Sequence, residues 1–253
     1  MLKFDHIALA ADRVVPLQQF LAGRHGGVVI GGGSPPGSGF RAMQIRIGRG
    51  EDGMTIELLE PWEVERNDFL ARFLSGNGPG PHHFTFKTAD IQAELKRFEA
   101  LGFDPVGVNF SNSFWQEFFI HPNQGHGPVI QVAQPGDDQG SMTHMLALAM
   151  AGEHMAWGDA WWSATDLARG SAVSTLEQVV IATPDLEAGV AFYGDVLGGV
   201  VDRTVRNATI TWSGGTVMLE QAGIDRPRVD RLELSGDNVA DDHVEQGTRF
   251  VAV

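Results

Sequence analysis

The chain has 253 residues, 43% of them hydrophobic, enough for one large or two modest domains with a buried core, and its net charge of −14 argues against nucleic acid and anionic membranes as partners. It contains no cysteine, which excludes disulfides, thiolate zinc sites and a cysteine nucleophile and is compatible with a reducing cytosol. No apolar run reaches a membrane-spanning length, and the first residues meet Asp5, Asp12 and Arg13 too early for a signal peptide, so a soluble cytoplasmic protein is expected.

Residues 3–10, KFDHIALA, read as a strand with Phe4, His6 and Ala8 on one face. Asp12 is placed to cap a helix in which Val14, Leu17 and Leu21 recur at helical spacing, with Pro16 tolerated in the first turn. The Gly-rich stretch from Gly31 to Gly39 reads as a loop, followed by strands from Phe40 to Ile47 and Met54 to Leu59. This is a β-α-β-β-β order. A connecting helix over residues 67–74 ends at the Gly/Pro hinge of GPGPHHFTFKTAD, and the order restarts. It gives a strand from His83 to Phe86 and a helix begun by Thr88 or Asp90. That helix carries Ile91, Leu95, Phe98 and Leu101 on one stripe and stops at Gly102. Strands follow at Asp104 to Val108, Phe114 to Ile120 and Pro128 to Ala133.

Residues 135–174 break the pattern with a polar loop, an apolar run and a cluster of Trp157, Trp161 and Trp162, read as a packed connector in preference to a substrate lid. A third unit opens near Leu176. It has an Asp185 cap, a helix with Leu186, Val190, Tyr193 and Leu197 on one stripe, and strands near residues 200–202, 208–212 and 216–220. A fourth is only begun, by a strand from Arg228 to Leu234 and a closing one from Arg249 to Val253. The expected fold class is α+β, with repeated βαβββ modules forming cupped mixed sheets. Two modules make a domain over 1–134, residues 135–174 connect, and a degenerate, shortened pair makes a second domain over 175–253.

Superposing the first two units puts His6 and His83 at one place on the first strand, and Glu57 and Gln131 at one place on the last. Two imidazoles, a carboxylate and an amide oxygen suit one divalent metal: zinc, nickel, cobalt, manganese or iron(II). Each residue alone is more often an ordinary satisfied polar group; the repeat is what joins them. His82 is expected to face away from the cup, because neighbouring strand residues point to opposite faces. The third and fourth units carry Gln178, Met218 and Arg231 at the matching positions, a poor ligand set, so this half reads as metal-free. Structural support, a lid or a homodimer interface are the roles open to it.

DHIALA, IELLEP, HHFTF and FIHPNQGHGPVIQV resemble, in order and spacing, the strands of the vicinal oxygen chelate superfamily, which includes glyoxalase, bleomycin-resistance and extradiol dioxygenase proteins. The first half is most similar to methylmalonyl-CoA epimerases. The resemblance covers residues 3–134 well and 175–222 recognisably. It implies a cupped sheet holding one divalent metal, with His6, Glu57 and His83 at ligand positions and a small-molecule substrate chelated through two oxygens. Gln131 departs from the family, where a glutamate usually stands, which weakens the case for epimerase or isomerase chemistry more than the case for metal binding. The implied chemistry is lyase or isomerase action through a metal-stabilised enolate, with Glu117, His121 and His126 as candidate bases. Two alternatives stand beside it. One is an extradiol-type iron(II) dioxygenase using His6, His83 and Glu57, and the other a non-catalytic binder of antibiotic-like molecules, with the tryptophans lining a cleft. No phosphate loop or basic cluster points to CoA specificity.

Overall fold

The computed structural model describes residues 1–49, 52–136, 155–157, 161, 173–236 and 242–253. Strands dominate, in two mixed sheets of nine and seven strands among the described residues. The first module is β1 (Lys3–Ala10), α1 (Val15–His25), β2 (Val28–Gly33), β3 (Phe40–Ile47) and β4 (Met54–Pro61). After α2 (Phe69–Asn77), the second is β5 (Gly80–Lys87), α3 (Ile91–Ala100), β6 (Val106–Asn109), β7 (Trp115–Ile120) and β8 (Val129–Pro135). The short β9 (Met155–Trp157) precedes the third: β10 (Ser174–Thr183), α4 (Leu186–Val190), β11 (Val200–Arg203), β12 (Asn207–Trp212) and β13 (Gly215–Gln221). The fourth consists of β14 (Arg228–Gly236), β15 (His243–Glu245) and β16 (Thr248–Ala252). Most of the expected connector lies outside the described residues. Among the described residues, no helix is long and apolar enough to cross a membrane.

The described chain divides into two compact units. The first combines the start of β1 with the second module and most of the third. Its two modules share one arrangement: β6-β7-β8-β5 in one sheet and β11-β12-β13-β10 in the other. In each, the first and last strands run parallel, with Thr85 opposite Gln131 and Val180 opposite Met218. Those registers place Gln178 and Met218 where His83 and Gln131 stand, as the repeat predicts. Both helices start the same way. Asp90 accepts a hydrogen bond from the Ala93 N–H at 2.9 Å, Asp185 from the Ala188 N–H at 3.0 Å, and Thr88 and Thr183 accept the N–H of each capping aspartate. Aromatic rings fill the core: Phe4 meets Phe84 and Phe86 at 5.6 and 5.3 Å, and Phe86 meets Trp212 at 5.2 Å. The polar ends of two buried rings are satisfied by backbone, Tyr193 donating to the His126 carbonyl at 2.7 Å and Trp212 to that of Leu197 at 3.0 Å.

The second unit holds the rest of the first module, α2 and the C-terminal strands. Ala8, Ala10, Ala42, Leu59, Leu70 and Leu74 form one buried cluster, with Phe40, Phe69 and Phe73 against it. Two expectations change here. Asp12 does not cap α1; the N-cap is Val14, whose N–H donates to the buried Glu60 carboxylate at 2.8 Å, itself held by Arg41. The glycines expected in a loop, Gly31 to Gly33, form the end of β2, where a bulge shifts the register between Val29 and Gly31. A side chain at Gly32 would have its Cβ 2.4 Å from the Ala42 carbonyl oxygen, so only glycine allows β2 to lie this close to β3.

Candidate metal centre

His6 sits on β1 with 1% of its surface exposed. Its Nδ1 is 2.8 Å from Asp5 Oδ2, and Lys87 Nζ is 2.7 Å from the other Asp5 oxygen. Burial pushes the Asp5 carboxyl up, but Lys87 and the contact with His6 outweigh it and hold the group well below the usual carboxylate range. Asp5 is therefore an anion and an acceptor. On the other side of the ring, His6 Nε2 is 2.9 Å from Thr85 Oγ1, and Thr85 donates to Gln131 Oε1 at 2.5 Å. Gln131 Nε2 donates to Glu117 Oε2 at 2.6 Å, and Trp115 Nε1 donates to the same oxygen at 3.0 Å. Lys87 lies over the Trp115 ring at 5.4 Å, which closes the circuit. Seven side chains from β1, β5, β7 and β8 thus form one connected polar ring.

His83, 6% exposed, lies beside this ring with its imidazole 5.7 Å from that of His6. Burial lowers its pKa well below the ordinary value, and the neighbouring His82 and His6 act in the same sense against an opposing hydrogen bond with Gln131. The imidazole is neutral at neutral pH, the form a metal takes. His82 does not turn wholly away as strand alternation predicts: its Nδ1 is 2.8 Å from His83 Nδ1.

The ligand atoms of His6, Glu57 and His83 all lie within 4.8 Å of one another. Two buried imidazoles and one carboxylate at that spacing form a donor set that fits a divalent cation of the zinc to iron(II) series. Gln131 is part of the same neighbourhood, its amide oxygen engaged by Thr85 and its nitrogen by Glu117.

The remaining candidates separate. Glu117 joins the ring through Gln131. His121 is exposed in a turn, its Nδ1 accepting the Asn123 N–H at 3.2 Å. His126 is buried, its Nε2 2.7 Å from Thr183 Oγ1, and burial lowers its pKa against the attraction of Asp185. It ties the second module to the third. In the third module the amide of Gln178 lies 3.8 Å from Met218 Sδ, and Arg231 pairs with Glu220 at 2.8 Å and Asp230 at 3.0 Å. Trp161 has the Arg41 guanidinium over its ring at 4.0 Å, whereas the side chains of Trp157 and Trp162 lie outside the described residues. Sequence reasoning missed Asp5, Thr85 and Lys87. Period-two spacing put Thr85 and Lys87 on the His83 side of β5, and Asp5 precedes His6, so position alone marked them.

Residues 5–119 match the model of the Glyoxalase/Bleomycin resistance protein/Dioxygenase superfamily. No curated protein matches the chain in sequence. Among solved structures, a hypothetical protein from Staphylococcus aureus is similar along the whole of both chains, with 13% identity and a TM-score of 0.64, a likeness of fold. A hypothetical protein from Bacillus halodurans is 22% identical over 55% of this chain and 99% of its own, with a TM-score of 0.48. A Streptomyces coelicolor methylmalonyl-CoA epimerase in complex with 2-nitronate-propionyl-CoA is 23% identical over 55% of this chain and 98% of its own, with a TM-score of 0.47. The matched segment carries His6, Glu57, His83 and Glu117, and over it the chain is similar to the Glyoxalase/Bleomycin resistance protein/Dioxygenase superfamily.

Proposed function

We propose that this chain is a divalent-metal-dependent enzyme of the vicinal oxygen chelate type, acting on a small oxygenated metabolite by lyase or isomerase chemistry. The grouping of His6, Glu57 and His83 within 4.8 Å carries this reading. These three would hold the cation, with Gln131 as the fourth residue of the set. When bound, the cation supplies Lewis-acid polarisation of a substrate carbonyl, which lowers the cost of removing a proton from the neighbouring carbon. Glu117 is the favoured base. Its carboxylate is oriented by Trp115 and Gln131 and hydrogen-bonded into the ring that contains His6, whereas His126 has its Nε2 engaged by Thr183. Gln131 leaves the set one negative charge short of a glutamate at that position, which favours a substrate that brings its own anionic oxygen. A homodimer is compatible with this reading.

A second reading rests on the same group. Two histidines and one carboxylate are the ligand composition of non-haem iron(II) oxygenases. Elemental analysis of protein purified without added metal tests both. We expect close to one equivalent of a transition metal, lost in His83→Ala. Less than about a tenth of an equivalent, unchanged after soaking, sinks the metal reading. Proton exchange of candidate carbonyl substrates in deuterated water supports the lyase or isomerase assignment, and oxygen uptake with catechols replaces it by the dioxygenase one.

A further inference from the structure

We propose that the outer edge of β11 is a docking edge for an extended segment of a partner protein, a binding role separate from the metal chemistry. The segment adds to the sheet as an antiparallel strand and carries a lysine or arginine followed, two positions on, by a large apolar residue. β11 ends the seven-stranded sheet, and Val200 to Arg203 pair with Thr211 to Ala208 of β12 without a shift in register. Where the two strands turn, the Thr204 N–H donates to the Asn207 carbonyl at 2.8 Å. Counting back from that bonded pair, the antiparallel ladder turns the backbone groups of Asp202 and Val200 towards β12 and those of Val201 and Arg203 outward. The equivalent edge of the second module is blunted, because the β6 register shifts between Val106 and Asn109, where Gly107 has a φ of 62°. β11 carries neither a bulge nor a proline.

The side chains of β11 divide between two faces. Val201 and Arg203 turn to the helix side, where Val201 Cγ2 lies 2.7 Å from the position of a Cβ on Gly194 and Arg203 pairs with Glu187. Val200 and Asp202 are on the other face, where an added strand brings its own side chains close to them. Val200 is 76% exposed and lines, with Met1, Lys3 and Trp212, a largely apolar pocket of about 470 Å³. An apolar side chain opposite Val200 fills it, and Lys3 in the wall disfavours a basic one. The exposed Asp202 carboxylate, on a chain of net charge −14, takes the lysine or arginine. Main-chain bonding gives affinity and these two side chains give the choice of partner. A second copy, paired about a twofold axis, fits poorly in each register that uses the outward groups. Val201 against itself leaves Asp202 opposite Val200, Val201 against Arg203 sets Asp202 against Asp202, and Arg203 against itself sets two guanidiniums together.

Fluorescence anisotropy with the full chain tests this, using a labelled, N-acetylated and C-amidated heptapeptide of threonines with lysine third and leucine fifth. We expect saturable binding that weakens about tenfold when the leucine is replaced by threonine. Val201→Pro, which deletes an outward N–H and no bond to β12, should weaken it about tenfold as well. Asp202→Lys should weaken it roughly threefold to tenfold, and a glutamate in place of the peptide's lysine should restore that loss; this exposed position serves if Val201→Pro does not fold. No saturation below about 1 mM peptide, or an affinity indifferent to the leucine or to both protein variants, overturns the proposal. So does a wild-type dimer in analytical ultracentrifugation that Val201→Pro dissolves, which would give the edge to a second copy.

Discussion

Gln131 is the residue where the site departs from what its superfamily resemblance implies, and its partners give the substitution a measurable consequence. Its amide serves two different neighbours, with the oxygen accepting from Thr85 at 2.5 Å and the nitrogen donating to Glu117 at 2.6 Å. A glutamate keeps the first role and fails the second, because a carboxylate oxygen would face the Glu117 carboxylate where a donor now stands. We expect Gln131→Glu without metal to be less stable by about 1–3 kcal/mol at pH 7. Lowering the pH until the pair shares a proton should narrow that gap, and so should zinc, which draws the new carboxylate into the donor set. Thermal melts at pH 7 and pH 5, with and without zinc, check this. Equal melting temperatures for both proteins at pH 7 without metal would show that the bridge to Glu117 contributes nothing. The position of Gln131 was legible from the repeat. Its partner Thr85 was not, because a threonine in a strand is ordinary and only the register opposite Gln131 gives it a role.

At the scale of elements, the strands and helices were legible wherever a local signal has one meaning. Asp90 and Asp185 cap as their positions imply. The failures came where a distant residue replaces the local one. Asp12 occupies the matching place in the first module, yet Glu60, 46 positions from Val14 in sequence, takes the helix-start N–H. Glycines carry the opposite ambiguity, since freedom to turn and freedom to pack closely look alike in a sequence. Gly32 packs closely, its Cβ position 2.4 Å from the Ala42 carbonyl oxygen. Gly32→Val should therefore cost roughly 1–3 kcal/mol by forcing β2 away from Ala42, a fall of about 2–4 °C in melting temperature per kcal/mol for a chain of this size. Gly37→Ala, where an added Cβ meets nothing within 4 Å, is the comparison, although its φ of 74° adds some strain. A Gly32→Val protein that melts no lower than Gly37→Ala would return this stretch to the loop first expected.

Across the whole molecule the repeat explains why one chain can hold a metal-type donor set in one pair of modules and apolar or paired groups in the other. The backbone arrangement recurs in β6-β7-β8-β5 and β11-β12-β13-β10, and only side chains decide the chemistry. The cost of keeping histidines in such cores appears in the dependence of stability on pH. In the second unit His25 is 4% exposed, its Nδ1 3.0 Å from Ser174 Oγ and its ring 4.9 Å from Phe20. Phe20 in turn stacks on His243 at 4.5 Å. Burial first, then the charges of Arg24 and His243, lower the His25 pKa from 6.5 to about 4. A depressed histidine pKa means that the unfolded chain binds the proton more readily than the folded one. Its stabilisation is complete above pH 6.5 and is lost as pH falls towards 4, by about 3 kcal/mol. His83 and His126 are shifted in the same direction, so the isolating measurement is a difference between proteins. Urea unfolding free energies at pH 7.5 and pH 4.5 should show a smaller acid loss in His25→Gln than in wild type, by most of that amount. Equal losses in the two proteins would mean that His25 takes up its proton in the fold without penalty, and that acid sensitivity lies with the histidines of the first unit.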